Sequence, residues 1–220
     1  VSQLNASVVV FDPHGEYAAA LEDKGSVRSV LATGDDRLRV PYWALPALDI
    51  LRAFAGSTGG PTASERFVEL VREQRREFVR AASWLKLDSK AVTEDTPVPF
   101  GLREVWYQLD RENRVTMRDQ TTEALVKDGK AAELQSAEFE PYGAGGAPPN
   151  KGPYFGVHGS IPELLRLGLR DPRLQFLLEA DANPNAKTDP LSAAMGEWLG
   201  EDKPVSILDF SGVPDAAAEL

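Results

Sequence analysis

Asp12-Pro13-His14-Gly15-Glu16 places two carboxylates and an imidazole at alternate positions, directly after the apolar run Val8-Val9-Val10-Phe11. A carboxylate at the carboxyl end of a buried parallel strand lies where open α/β sheets bind their ligands. Asp12, His14 and Glu16 could meet a magnesium ion, a water or a phosphate there. A plainer alternative fits the same residues: Asp12 caps the following turn, His14 is a satisfied loop histidine and Glu16 is solvated. The residue types alone leave both open. A small metal hydrolase built on the three is a weaker third reading, because ligands bunched on one turn have no distant fourth.

Other candidates carry less. His158, in Gly156-Val157-His158-Gly159, is the only other histidine. A histidine-based metal site would need it to meet His14 from a distant segment, and nothing in the sequence favours that. No cysteine is present, which excludes disulfides and cysteine-ligated zinc or iron–sulfur sites and suits a reducing, cytoplasmic setting. Arg72, Arg76 and Arg80 share a helix face, but Glu69, Glu73 and Glu77 each stand three residues before one of them. That is the pattern of a solvated, salt-bridged face rather than of DNA contact. A formal net charge of −10 likewise argues against this chain carrying the main nucleic-acid contact. Trp84, Trp106 and Trp198 fall on apolar helical faces and read as core rather than as stacking platforms; Trp43 reads as packing under the first helix.

The elements that must position these residues follow from pattern. Ser7–Phe11 reads as a buried parallel strand, Val27–Leu31 as a second, Leu38–Val40 as a short third run and Val205–Phe210 as a late strand closed by Ser211-Gly212. Between them the chain turns helical. Phe67, Val71, Phe78 and Leu85 recur at helical spacing, as do Leu102, Val105, Trp106 and Leu109. Thr62-x-x-Glu65 and Ser160-x-x-Glu163 are candidate capping boxes, and Asp171-Pro172 and Asp189-Pro190 are candidate helix starts. Gly200 is a plausible helix stop, and the glycine- and proline-rich stretch Tyr142–Gly156 should be a long loop. No apolar run is long enough to span a bilayer, so no membrane association is expected. The chain opens at Val1 before a strand and ends at Leu220 in what reads as a first helical turn. We therefore expect a piece of a longer protein.

The segment from Val8 through Asp12-Pro13-His14-Gly15-Glu16-Tyr17 resembles one that HerA-like, P-loop DNA-translocating ATPases of the HerA/FtsK group carry shortly after their phosphate-binding helix. Pro204-Val205-Ser206-Ile207-Leu208-Asp209-Phe210-Ser211-Gly212-Val213-Pro214 is similar to a later strand of the same family. Thr96-Pro97-Val98-Pro99-Phe100, Asp171-Pro172-Arg173 and Trp198-Leu199-Gly200 add weaker similarity in the same order. The resemblance implies an α/β fold with partial RecA-like P-loop NTPase core strands and a large, mainly α-helical insertion. A core segment would occupy 1–43, the insertion 44–200 with its loop at 142–156, and a returning strand and helix start 201–220. It implies ATP and magnesium, self-assembly into a hexamer, translocation of double-stranded DNA, and a nuclease or defence effector as partner. Asp12 would orient the water shell of the magnesium and Glu16 would polarise a water or sense the γ-phosphate, with His14 in the vicinity.

Two departures qualify this. No Gly-x-x-x-x-Gly-Lys-Ser/Thr occurs in the chain, and no Asp-Glu or Glu-Glu pair ends an apolar strand. Both motifs, and any arginine finger, are then expected outside residues 1–220, so the chain alone should neither hold a nucleotide tightly nor hydrolyse ATP. Asp209 ends an apolar strand, but Phe-Ser-Gly follows it, so it reads as turn-forming or as lying one layer behind the ligands. The alternative from a different class is a protein-interaction module without nucleotide chemistry.

Overall fold

The computed structural model describes residues 8–21, 23–178, 188–199 and 204–213. The expected strand start at Ser7, helix stop at Gly200 and helix start beyond Val213 lie outside the described residues. The molecule is mixed α/β, with a small parallel sheet and several helices.

The apolar run becomes strand β1, Val8–Asp12, followed by the short helix α1, Glu16–Ala20, and strand β2, Ser26–Ser29. The late strand, β7, is Val205–Asp209; it lies between the other two, in the order β1-β7-β2, all parallel. Val10 stands opposite Ile207, and Val27 opposite the same Ile207 from the other side. As the central strand, β7 is the most deeply buried of the three, with Ile207 and Leu208 inaccessible. The run Leu38–Val40 forms no strand. Leu38 donates its amide to the Ser29 carbonyl and Val40 donates to that of Phe176, while the Leu38 side chain fills the core.

Five helices follow before β7: α2, Ala47–Ala55; α3, Pro61–Ala81; α4, Leu102–Arg114; α5, Ile161–Gly168; and the short α6, Gln175–Leu178; a sixth, α7, Pro190–Leu199, leads back to the sheet. The stripe on α4, Leu102, Val105, Trp106 and Leu109, is buried throughout, but that on α3 holds only in part: Phe67 and Val71 are buried, Phe78 is half-buried, and Leu85 lies beyond the helix end. The buried members join Ile50, Leu51, Phe54, Ile161 and Leu165 in one core, against which Leu208 of the sheet also packs. The Trp106 indole donates to the Pro162 carbonyl at 2.9 Å, satisfying the polar atom that burial would otherwise strand. Helices α2 and α5 approach closely at Gly168, where a Cβ would fall 1.8 Å from the Phe54 carbonyl oxygen, so no larger residue fits without separating the helices.

Local chemistry departs from expectation at the helix starts. Gly60 is the N-cap of α3 and Pro61 its first residue, which moves Thr62 inside the helix, and no side chain caps that end. Ser160 caps α5 in position only, for its hydroxyl makes no capping bond. Asp171 and Asp189 do cap, accepting from the amides of Arg173 and Leu191 at 2.9 and 3.0 Å. Between α4 and α5 the chain forms no α-helix, only a 3-10 turn at Ala144–Gly146. Strands β3, Thr116–Met117, β4, Leu125–Lys127, β5, Glu138–Phe139, and β6, Asn150–Lys151, form two small antiparallel ladders, β3 with β6 and β4 with β5. The glycine-rich stretch is thus part strand. Among the described residues no helix is long and apolar enough to cross a membrane.

Candidate functional site

Asp12 and Asp209 are direct partners across β1 and β7, so two carboxylates stand side by side at the carboxyl end of the parallel sheet. Each is held by backbone amides. Asp12 Oδ2 accepts from Tyr17 and Ala18, both at 2.9 Å, and Oδ1 accepts from Glu16 at 3.2 Å. Asp209 Oδ1 accepts from Ser211 at 2.9 Å, and the Phe210 amide donates to the Asp12 carbonyl at 2.8 Å. The plainer alternative therefore describes part of what Asp12 does: it takes up the free amides of α1 from the strand below. Burial pushes the Asp12 carboxyl up, but the amides of Ala18 and Tyr17 outweigh it and hold the group below the usual carboxylate range.

The turn between them depends on Gly15, whose φ of 74° lies in the left-handed region. A Cβ there would stand 3.1 Å from Ser211 Oγ and 3.7 Å from Asp209 Oδ1, so the Asp12–Glu16 turn lies directly over the end of β7. His14 and Glu16 are exposed on that turn, whereas Asp12 is buried, only 1% exposed. Around them Phe11, Tyr17 and Leu31 are also exposed, at 66%, 53% and 71%. Phe11 stacks on Phe210 with ring centres 6.2 Å apart.

His158 is nowhere in this group. It is buried beside α4, where Nε2 lies 3.2 Å from Glu112 Oε2, and the Tyr154 ring stacks on it. Glu112 also accepts from Arg66 Nη2 at 2.7 Å and from Gln108 at 2.9 Å. Burial pushes its carboxyl up, yet the bonds to His158, Arg66 and Gln108 prevail and bring it to about 2. Among the described residues no group of three or more His, Cys, Asp or Glu is placed to hold a metal ion.

The α3 arginines do not exchange with the glutamates three residues before them. Arg72 pairs with Glu94 at 3.1 Å, Arg76 donates to the Val92 carbonyl and Glu69 pairs with Arg66. Sequence reasoning passed over the arginine that matters most to the fold. Arg75, fully buried, donates to the carbonyls of Thr96, Trp43 and Leu45 at 2.6–3.0 Å and lies over the Phe100 ring. Burial lowers it to about 10. Its position on the apolar side of the helix, one residue from Gln74 and Arg76, was the available signal. Trp106 is core; Trp198 and Trp84 are half-buried, the former donating to the Arg39 carbonyl at 2.8 Å.

No curated protein matches the chain. A family model described as the central domain of the helicase HerA matches residues 1–140, which takes in β1, the Asp12–Glu16 turn, α2 to α4 and the first small strands. The Pro204–Pro214 segment that also carried the resemblance lies beyond that match. With well over half its length matched, and the Asp-Pro-His-Gly-Glu-Tyr turn inside the matched span, this chain belongs to the family of the HerA helicase central domain.

Proposed function

We propose that the chain forms one wall of the nucleotide site of an ATP-driven, hexameric DNA translocase of the HerA/FtsK group, with RecA-like core strands. Membership of the HerA central-domain family implies a function of ATPase or helicase type. The observation that carries the finer reading is the juxtaposition of Asp12 and Asp209 at the carboxyl end of adjacent parallel strands, under a left-handed glycine turn.

The oxygen-rich donor set suits magnesium, which prefers oxygen ligands and keeps several waters. Backbone amides already surround the Asp12 carboxylate, those of Glu16, Tyr17 and Ala18 at 2.9–3.2 Å among them. Asp12 then acts by accepting from a metal-bound water and by fixing the turn, rather than by binding the ion directly. Glu16, exposed on that turn, is free to polarise a water or follow the γ-phosphate, with His14 beside it. The phosphate-binding loop and the catalytic acid of the strand that follows would come from outside these residues. Double-stranded DNA and a nuclease or defence effector would be the partners. The exposed Phe11, Tyr17 and Leu31 at the same end of the sheet favour burial against another subunit, as a hexamer requires. The same exposure would serve a protein-interaction module without nucleotide chemistry, and one experiment separates the two. In a form of the protein that carries the phosphate loop, Asp12→Asn should lower DNA-stimulated ATP turnover more than about tenfold, with an unchanged circular dichroism spectrum. Wild-type turnover in that variant would refute the assignment.

A further inference from the structure

We propose that α1 is a conformational switch, helical while Asp12 accepts its amides and released when a magnesium-bound water of the nucleotide competes for that carboxylate. The inference rests on the nucleotide-site reading above and adds how the site reports its occupancy.

Packing contributes little to α1. The helix spans five residues, Glu16–Ala20, and buries none of them. Helices shorter than about 12–15 residues are marginal in water, because nucleation fixes several residues for one hydrogen bond. The three alanines, Ala18 to Ala20, favour a helical backbone but offer little surface to pack. The helix start is also bare, since its N-cap is Gly15, which has no side chain to cap with. The free amides go instead to Asp12, four to six residues earlier in the chain. Tyr17 and Ala18 donate to Oδ2 at 2.9 Å and Glu16 to Oδ1 at 3.2 Å, while the amides of His14 and Gly15 add to the stabilisation of the charge.

Two claims therefore meet on one carboxylate. In the structure its oxygens hold α1; in an occupied site they would accept from the water shell of the ion. Asp12 is buried and its backbone is fixed by the ladder to β7, so it cannot turn away to serve both. With amides of five consecutive residues helping to hold its charge, a further donor displaces one of them. The Glu16 amide, the longest of the three bonds, yields first, and the same residue carries the carboxylate proposed to meet the water or the γ-phosphate. A ligand shifts an equilibrium only by its differential interaction with the two states, and this competition supplies the difference.

Release has an outlet. The segment is hinged at Gly15, with its left-handed φ of 74°, and anchored at Gly25, where a Cβ would fall 3.0 Å from the Val205 carbonyl oxygen. Between these points α1 carries Tyr17, 53% exposed at the same end of the sheet as Phe11 and Leu31. Loss of the helix displaces Tyr17 within the apolar surface proposed to meet another subunit, so that contact comes to depend on the nucleotide.

Hydrogen exchange at individual amides tests both halves. In the 220-residue chain, Asp12→Ala should raise exchange at Tyr17 and Ala18 at least about tenfold, while α3 and α4 keep their protection and show that the fold survives. Ala19→Gly, at an exposed position of α1 that leaves Asp12 in place, should raise the same rates about fivefold through helix propensity. In a form that carries the phosphate loop, the magnesium complex of a non-hydrolysable ATP analogue should raise them about tenfold, and the analogue in EDTA should not. The proposal is overturned if either variant leaves these amides protected. It is also overturned if the magnesium complex leaves their exchange unchanged or slows it while Asp12→Asn still impairs turnover. Wild-type turnover in Asp12→Asn is a different failure: it refutes the nucleotide-site reading, and the trigger with it, whereas the dependence of α1 on Asp12 is read from the 220-residue chain alone.

Discussion

The helical region and the three-stranded sheet solve the problem of holding a structure in different ways. Helix α3 buries Phe67, Leu70, Val71 and Val79 along one face, and α4 buries four apolar residues in thirteen. Helix α1, beside the sheet, buries none of its five, and β1 leaves Phe11 two-thirds exposed. What holds the Asp12–Glu16 turn is a set of hydrogen bonds to one carboxylate and the contact of Gly15 with the end of β7. Packing is insensitive to small polar ligands, whereas a hydrogen-bonded turn can exchange an amide for a water or a phosphate oxygen. The rigid region thus serves as scaffold, and the sparsely packed one holds the residues suited to chemistry.

This contrast can be broken most directly by paired truncations. Trp106→Ala removes a fully buried ring and its bond to Pro162, and should destabilise the chain by about 3–5 kcal/mol in denaturant unfolding. Phe11→Ala, despite the stacking on Phe210, should cost less than about 1 kcal/mol. Comparable losses would mean that the carboxyl end of β1 is packed as tightly as the helices.

Arg75→Met sharpens the comparison by keeping the volume and removing the donors. The carbonyls of Trp43 and Leu45 lose the guanidinium and that of Thr96 keeps only the Val98 amide, so a loss of roughly 2–4 kcal/mol is expected in the same measurement. A neutral result would show that the aliphatic stem, not the guanidinium, supports Trp43 and Leu45.

Glu112 gives a pH signature to the helical side. Its carboxyl is held at about 2 in the folded state against an ordinary 4.5, so the stability it contributes is present above pH 4.5 and is lost as pH falls towards 2. After allowance for solvent screening the contribution is about 1–2 kcal/mol. Melting curves of Glu112→Gln should lie below wild type at pH 7 and converge with it in acid; parallel curves would argue against the pairing.

The smallest effect belongs to the sheet. Asp12→Asn leaves an amide oxygen able to accept from Tyr17 and Ala18 and gives up only the longer bond from Glu16 and the charge, so the melting temperature of the chain should fall only slightly at pH 7. A large drop would make Asp12 chiefly structural and weaken the role proposed for it in ATP turnover.

Much of this arrangement is legible in the sequence, for identifiable reasons. The continuous apolar runs at Val8 and Val205 and the helical spacing through Phe67 and Leu102 reflect burial, which imposes a period on the residues themselves. The strands β3 to β6 are two or three residues long, too short to show any period, so nothing in their residues distinguishes them from loop. The capping boxes failed because Pro61 starts α3 one position before Thr62, and because the Ser160 backbone is already helical. Asp12 could be found from its place after a strand, but not its neighbour: that Asp209 stands beside it depends on strand register across nearly the whole chain. The same holds for Glu112 and His158, which no local pattern joins.

The insertion of β7 between β1 and β2 has a consequence for how the molecule comes into being. Synthesis proceeds from the amino end, so β1 and β2 emerge early with no strand yet available between them, while α2 to α5 can collapse from contacts nearer in sequence. Until β7 arrives, both early strands present unpaired backbone to any other chain nearby. The two carboxylates become neighbours only in that last step, so the acidic edge of the sheet exists only in molecules whose translation has passed Asp209.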